Sequence, residues 1–233
     1  MDFVTPLPLE QQFSAVINPK EAAEGILLAL RNAKELLEDA AVLLENKRYP
    51  RVVALAILAI EEYGKVEKIK ELLLSKQKIA SLWRELRSHK SKNYPWMFPL
   101  LKQMGVNDPE LIRDFSNPKS NCVKFLDELK QISFYTEAVK LEAGKGCHWW
   151  LPSEIVSDEV ADFYYRLAKT IVLDDGIVWT EAALTVYMEY ADYQDGKAFV
   201  QDMPAYYAAL YKAENITRER YEKILHNMGI PGK

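Results

Sequence analysis

Nine consecutive apolar residues, Val52 to Ile60, run directly into Glu61 and Glu62. The run is about half the ~20 residues that a membrane span requires, so it reads as the buried centre of a soluble fold. Pro50 stands where a helix tolerates proline, in the first turn. The spacing therefore predicts a helix from Arg51 to about Ser75. Its first half is apolar on every side, the mark of a central helix covered from several directions.

The flanking sequence supplies the cover. Asn18-Pro19 reads as an N-cap followed by proline at the first helical position. From there Ala22, Ile26, Leu30, Ala33, Leu37, Ala40 and Leu44 recur at threes and fours, one apolar stripe reaching about Asn46. A third helix is expected from Ile79 to His89, ending before Pro95. "DPELIRDF" reads as a brief helix. Ser120 to about Lys140 carries Cys122, Phe125, Leu126, Leu129, Ile132 and Thr136 on a helical period. Gly144 and Gly146 mark a turn. Ser157 caps a long helix opened by Asp158 and Glu159, running to Tyr190 with a kink at Gly176. Two short helices follow in the tail, the second closed by Gly229.

No strand pattern is evident, and the expected architecture is an all-α bundle of long helices. Residues 1–17 form an irregular arm, 18–193 the helical domain, and 194–233 an extension packed on the same domain. The composition agrees, with 49% hydrophobic and 27% charged residues and only nine glycines.

A net charge of −4 excludes a surface coated with positive charge for general nucleic-acid binding. Cys122 and Cys147 lie far apart without C-x-x-C spacing, which argues against a disulfide scaffold or zinc ribbon and for a reducing compartment. The N-terminus lacks a basic n-region and an apolar h-region. A cytoplasmic protein without membrane association is expected.

The two glutamates separate on the helical wheel. Leu55, Leu58, Glu62, Val66, Ile69 and Leu73 share one stripe, which places Glu62 toward the core. Glu61 shares a line with Ile57, Lys65 and Lys68, and Glu61 to Lys65 is the favourable i,i+4 order. A buried Glu62 must be paired, hydrogen-bonded or protonated. Gly64, costly inside a helix by roughly 1 kcal/mol, points to close approach of another backbone or side chain.

Candidate cations follow in "RELRSHKSKN". From Lys65 to Lys92 nine Lys or Arg stand against three Glu, a local +6, which leaves −10 for the rest of the chain. That asymmetry suits an anionic ligand, although a solvated lysine face explains Lys68 to Lys78 equally well.

Taken together, "LAIEEYGKVEKI", "SHKSKN" and "KQISFYTEAV" resemble the AbiV-type abortive infection family of the HEPN superfamily. The resemblance runs from about Ala22 into the helix after Ser157. It implies an all-helical phage-defence protein. Many HEPN proteins are dimeric, metal-independent ribonucleases with an R-x(4–6)-H motif at the shared face. Arg84 and His89 fit that spacing, though they follow the second long helix rather than lying on the last core helix.

Cleavage of this kind uses the ribose 2′-oxygen as nucleophile, with a base, an acid and a cation to steady the phosphorane. Histidine suits the proton transfers and arginine's planar fork the phosphate. On this reading Arg84 and His89 are catalytic, Lys92 binds phosphate, and Glu61, Glu62 and Lys65 support the site. A homodimer would bring a second His89 across a two-fold axis. Arg84 and His89 lie about 140° apart on a regular helix, so the helix must unwind near Ser88 or Arg84 must act across the axis. Glu85 is placed to orient the imidazole. No cofactor or metal is expected, since di-iron bundles require Glu-x-x-His on paired helices. The alternative is a non-catalytic interaction module that binds a phage or host protein, with Tyr206, Tyr207 and Tyr211 as a partner surface.

Overall fold

The computed structural model describes residues 13–88, 92–93, 97, 101, 108–115, 117, 119–140, 146–172, 176–194 and 197–230. In chain order the elements are α1 (Pro19–Glu45), α2 (Tyr49–Leu74), α3 (Ile79–Arg87), α4 (Pro109–Phe115) and α5 (Asn121–Phe134). A hairpin of β1 (Glu137–Lys140) and β2 (Cys147–Trp150) precedes the single turn α6 (Pro152–Ile155) and α7 (Asp158–Val172). Then come α8 (Glu181–Tyr190), a hairpin of β3 (Ala191–Gln194) and β4 (Lys197–Val200), α9 (Met203–Lys212) and α10 (Arg218–Asn227). The fold is all-α, with the strands among the described residues confined to two hairpins.

α1 starts where its sequence dictates. The Asn18 side chain accepts from the Glu21 amide at 3.0 Å, and Glu21 accepts from the Asn18 amide at 2.9 Å. This reciprocal capping satisfies two donors that the first turn would otherwise leave bare. α2 is the axis of the molecule, packing against α1, α3, α5, α7 and both strands of the second hairpin. Val52, Val53, Ala54, Ala56, Ile57, Ala59 and Ile60 are fully buried. Each Val or Ile of that set contributes about 1.5–3 kcal/mol through burial.

The core divides around α2. Its first half meets the C-terminal half of α1, α5 and α7 through Ala40, Val123, Leu126, Ala161 and Ala168. Its second half meets the start of α1, α8 and α9 through Ala22, Ile26, Trp179, Leu184, Tyr206 and Leu210.

Several expectations are corrected. Two antiparallel hairpins exist where no strand pattern is evident, pairing Glu137 with Trp150 and Ala191 with Val200. β1 and β2 are exposed along their whole length, so no face is selected to be apolar and no alternation arises. The helix from Ser120 ends at Phe134, where Arg51 of α2 donates to the carbonyls of Ser133 (2.5 Å) and Phe134 (3.1 Å). The long helix after Ser157 is two helices. Gly176 adopts φ +74°, outside helical space, with Arg220 packed beside it, and Thr180 caps the new start through the Ala183 amide. Of the tail tyrosines, Tyr206 and Tyr207 pack on the core and Tyr211 is exposed. Tyr206 is 4% exposed and sits among Tyr187, Tyr190 and Tyr207, while Tyr211 stacks on Tyr221.

Candidate functional site

Glu61 and Glu62 leave α2 in different directions, and the buried one is Glu61. Its side chain is 1% exposed, with Lys130 Nζ of α5 at 2.5 Å from Oε1. The Asn93 Nδ2 donates to the same oxygen at 3.1 Å. Glu62 is instead half-buried and pairs with Lys65 at 2.6 Å, one turn further along. The 3.6-residue stripe points the wrong carboxylate inward because α2 is apolar all round and offers no contrast between its faces. What decides the matter is the cation opposite.

Lys130 itself is 4% exposed. Val123, Leu126, Lys130 and Ser133 form the buried face of α5, so a lysine occupies a core position. The predicted stripe is rotated by one residue, and Phe125 is 53% exposed. Lys130 and Asn93 are the residues that sequence reasoning misses. A lysine at i+4 from Leu126 and i+7 from Val123 is the available signal, legible only once the correct face is known. A buried pair of this kind needs excellent geometry and further hydrogen bonds to offset desolvation. Asn93 supplies one to Glu61, and Asp127 approaches Lys130 at 3.4 Å.

Gly64 shows the close approach expected of it. A Cβ at this position would collide with the carbonyl oxygen of Lys92, so the missing side chain seats that segment against α2. Lys92 is 4% exposed. Burial and the neighbouring Lys65 hold its ammonium below the ordinary lysine range, against the pull of Glu61 and Glu62 and with Lys130 adding to the depression. Among the described residues its ammonium makes no hydrogen bond or ion pair. The Asn93 Oδ1 is also buried without a hydrogen-bond partner.

Glu62 and Lys65 line an open groove of about 430 Å³ between α1, α2 and α3, with Gly25, Asn32, Ile69 and Trp83 among its walls. The solvated lysine face does not hold for Lys68, which is 1% exposed and bonded to Glu71 (2.8 Å) and Glu85 (3.1 Å). That contact ties α3 to α2 and engages the Glu85 carboxylate expected to orient His89. Burial raises the Glu71 carboxyl above its usual range despite Lys68.

α3 holds the arm as well. Trp83 Nε1 donates to Ala15 O at 2.9 Å and Arg87 donates to Phe13 O at 2.5 Å. Arg84 is exposed, and among the described residues its guanidinium makes no hydrogen bond or ion pair. The helix stops at Arg87, with Ser88 extended at ψ 132°, which satisfies the requirement that it unwind there. His89 lies outside the described residues. Of the six predicted positions, Glu61, Glu62, Lys65 and Lys92 come together, and Arg84 occupies a separate, solvent-facing side of α3.

The result is a cluster of Lys65, Lys92 and Lys130 with Glu61, Glu62 and Asp127, of which Glu62 and Lys65 reach the groove. To the groove this cluster offers one carboxylate, Glu62, and one ammonium, Lys65. Among the described residues no group of three His, Cys, Asp or Glu could hold a metal ion. No described helix is long and apolar enough to cross a membrane.

The family model described as AbiV, of the HEPN group, matches residues 21–173. The match spans α1 to α7 and contains every residue of the polar cluster. No curated protein and no solved structure matches the chain.

Proposed function

The chain belongs to the AbiV family of HEPN proteins, helical proteins of abortive infection, and from that premise we propose that it cleaves RNA without a metal ion to arrest phage-infected cells. The observation that supports this reading is the gathering of Lys65, Lys92 and Lys130 around Glu61 and Glu62. Asn93 links that gathering to the segment that carries Arg84 and His89 a few residues earlier. The Lys65 ammonium on the wall of the groove suits a phosphodiester, and a partly buried setting strengthens each electrostatic contact.

Arg84 then stabilises the charge that builds on the phosphorane, and His89 transfers protons. Lys92 offers a further cation to the phosphate. Glu62 and Lys65 keep the groove side of the site in shape, and Glu61 keeps its buried side. The chain has only three histidines, so a two-fold homodimer in the cytoplasm, presenting His89 from each subunit, completes the proton-transfer set.

The test compares purified wild type and His89→Ala on cellular RNA in EDTA. Wild type is expected to cleave, and His89→Ala to fold normally and leave RNA intact. Equal survival of RNA with both proteins would remove the ribonuclease reading and leave a helical module that binds a phage or host protein.

A further inference from the structure

α1 buries Ala22, Ala23, Ile26, Ala29, Ala33 and Ala40 against the rest of the fold and turns a ridge outward. Leu27, Arg31, Lys34, Glu35, Glu38 and Val42 are all exposed and fall within an arc of about 100° on the helical wheel. Leu27 is 51% and Val42 58% exposed. Val178, also 58% exposed, shares with Leu27 a groove of about 730 Å³ that Arg31, Lys34, Glu35 and Glu38 line as well. Between the two apolar ends the ridge carries two bases followed by two acids. Arg31 and Glu35, like Lys34 and Glu38, have i,i+4 spacing. Yet among the described residues none of the four makes a hydrogen bond or an ion pair. The ridge is neutral in a chain of net charge −4, and its order of apolar, basic, acidic and apolar residues is complementary to itself reversed.

We propose that this ridge is the seam of a two-fold dimer of the chain, with two copies of α1 lying antiparallel about an axis between Lys34 and Glu35. In that register Arg31 faces the partner's Glu38, Lys34 faces the partner's Glu35, and Leu27 faces the partner's Val42. The axis repeats each contact, as an isologous interface requires. Ion pairs form along the middle, and at each end the partner's Val42 packs against Leu27 and Val178. Beyond those ends Glu24 faces the partner's Glu45, in open solvent where the repulsion is screened. From Leu27 to Val42 the seam is about 22 Å long at 1.5 Å per residue. That places it at the low end of specific interfaces, with dissociation expected on the order of micromolar. The inference gives the homodimer of the ribonuclease reading a face, and it holds whether or not RNA is cleaved. Gly25 and Asn32, which line the groove shared with Glu62 and Lys65, lie roughly 100° around α1 from the seam.

The experiment is sedimentation velocity on the full chain, from low to high micromolar concentration, without RNA. It compares wild type with two charge-reversed variants, Arg31→Glu with Lys34→Glu, and Glu35→Lys with Glu38→Lys. All four positions are exposed, so each variant should melt as wild type does. Alone, each variant sets like charges against each other at every ion pair, and its self-association should weaken by about 100-fold or more. Mixed, the two variants restore opposite charges throughout and should form a heterodimer of near wild-type affinity. Added salt should weaken the wild-type dimer. A wild type that stays monomeric throughout would overturn the proposal and leave the ridge to a different protein. Variants that dimerise as wild type does would place the contact on another face and overturn it too. So would two variants that fail to pair with each other, since the ridge would then not meet itself. Intact RNA in the presence of a dimeric wild type would remove the ribonuclease reading and leave this seam in place.

Discussion

Glu61 of α2 and Lys130 of α5 meet at 2.5 Å with neither side chain more than 4% exposed. Removing one partner leaves the other as an uncompensated buried charge, at a cost of ~3–5 kcal/mol. Glu61→Ala should therefore lower the urea unfolding midpoint sharply. Glu61→Leu combined with Lys130→Met should recover most of the loss. A double variant no more stable than Glu61→Ala would show that the pair is not what makes the single change costly.

Glu62 should behave differently. Its side chain is 16% exposed and that of Lys65 28%, so solvent screens the pair. Glu62→Ala is expected to cost ~1 kcal/mol or less, well below Glu61→Ala in the same unfolding assay. Equal losses would place both carboxylates in the core.

Gly64→Ala sets propensity against space. Alanine favours a helix by roughly 1 kcal/mol over glycine, but here the added methyl meets backbone, the Lys92 carbonyl. Overpacking of that kind costs about 1–3 kcal/mol, and a backbone obstacle cannot rotate away. A drop in melting temperature is expected, with faster hydrogen exchange in the peptide containing Lys92 and Asn93. A variant more stable than wild type would show that the segment moves aside freely.

Tyr187 provides a pH signature. It is 3% exposed, and burial pushes its phenol up to about 12, against the pull of nearby Lys70. The folded value is raised above the unfolded value of about 10, so the neutral phenol stabilises the fold below pH ~10. That contribution is lost as pH rises toward 12. Urea titrations across this alkaline window should show a shallower fall for Tyr187→Phe than for wild type.

How much of this was legible in the sequence depends on contrast. α1 was readable because Asn18, Pro19 and Glu21 specify one start and the apolar stripe one face. α2 was readable as central from Val52 to Ile60. The same uniformity hid which glutamate is buried, since a helix covered on all sides has no polar face to calibrate the wheel. Lys130 was hidden for a related reason: Phe125 outweighs it in any hydrophobic count, yet Phe125 faces solvent and Lys130 the core. Gly64 was the informative exception, a residue whose cost in a helix signals a neighbour before the neighbour is known. The break at Gly176 depends on a left-handed backbone and on Arg220, forty-four positions away in sequence, and periodicity carries no information about either.

The family match stops at residue 173, but the oily seam along α2 does not. Val66, Ile69 and Leu72 are sealed by Trp179, Leu184, Tyr206 and Leu210, all contributed after that point. A recombinant fragment trimmed to the matched segment would emerge with one flank stripped bare and would clump. The last sixty residues are therefore no optional appendage, and anyone cutting this protein down for study should leave them attached.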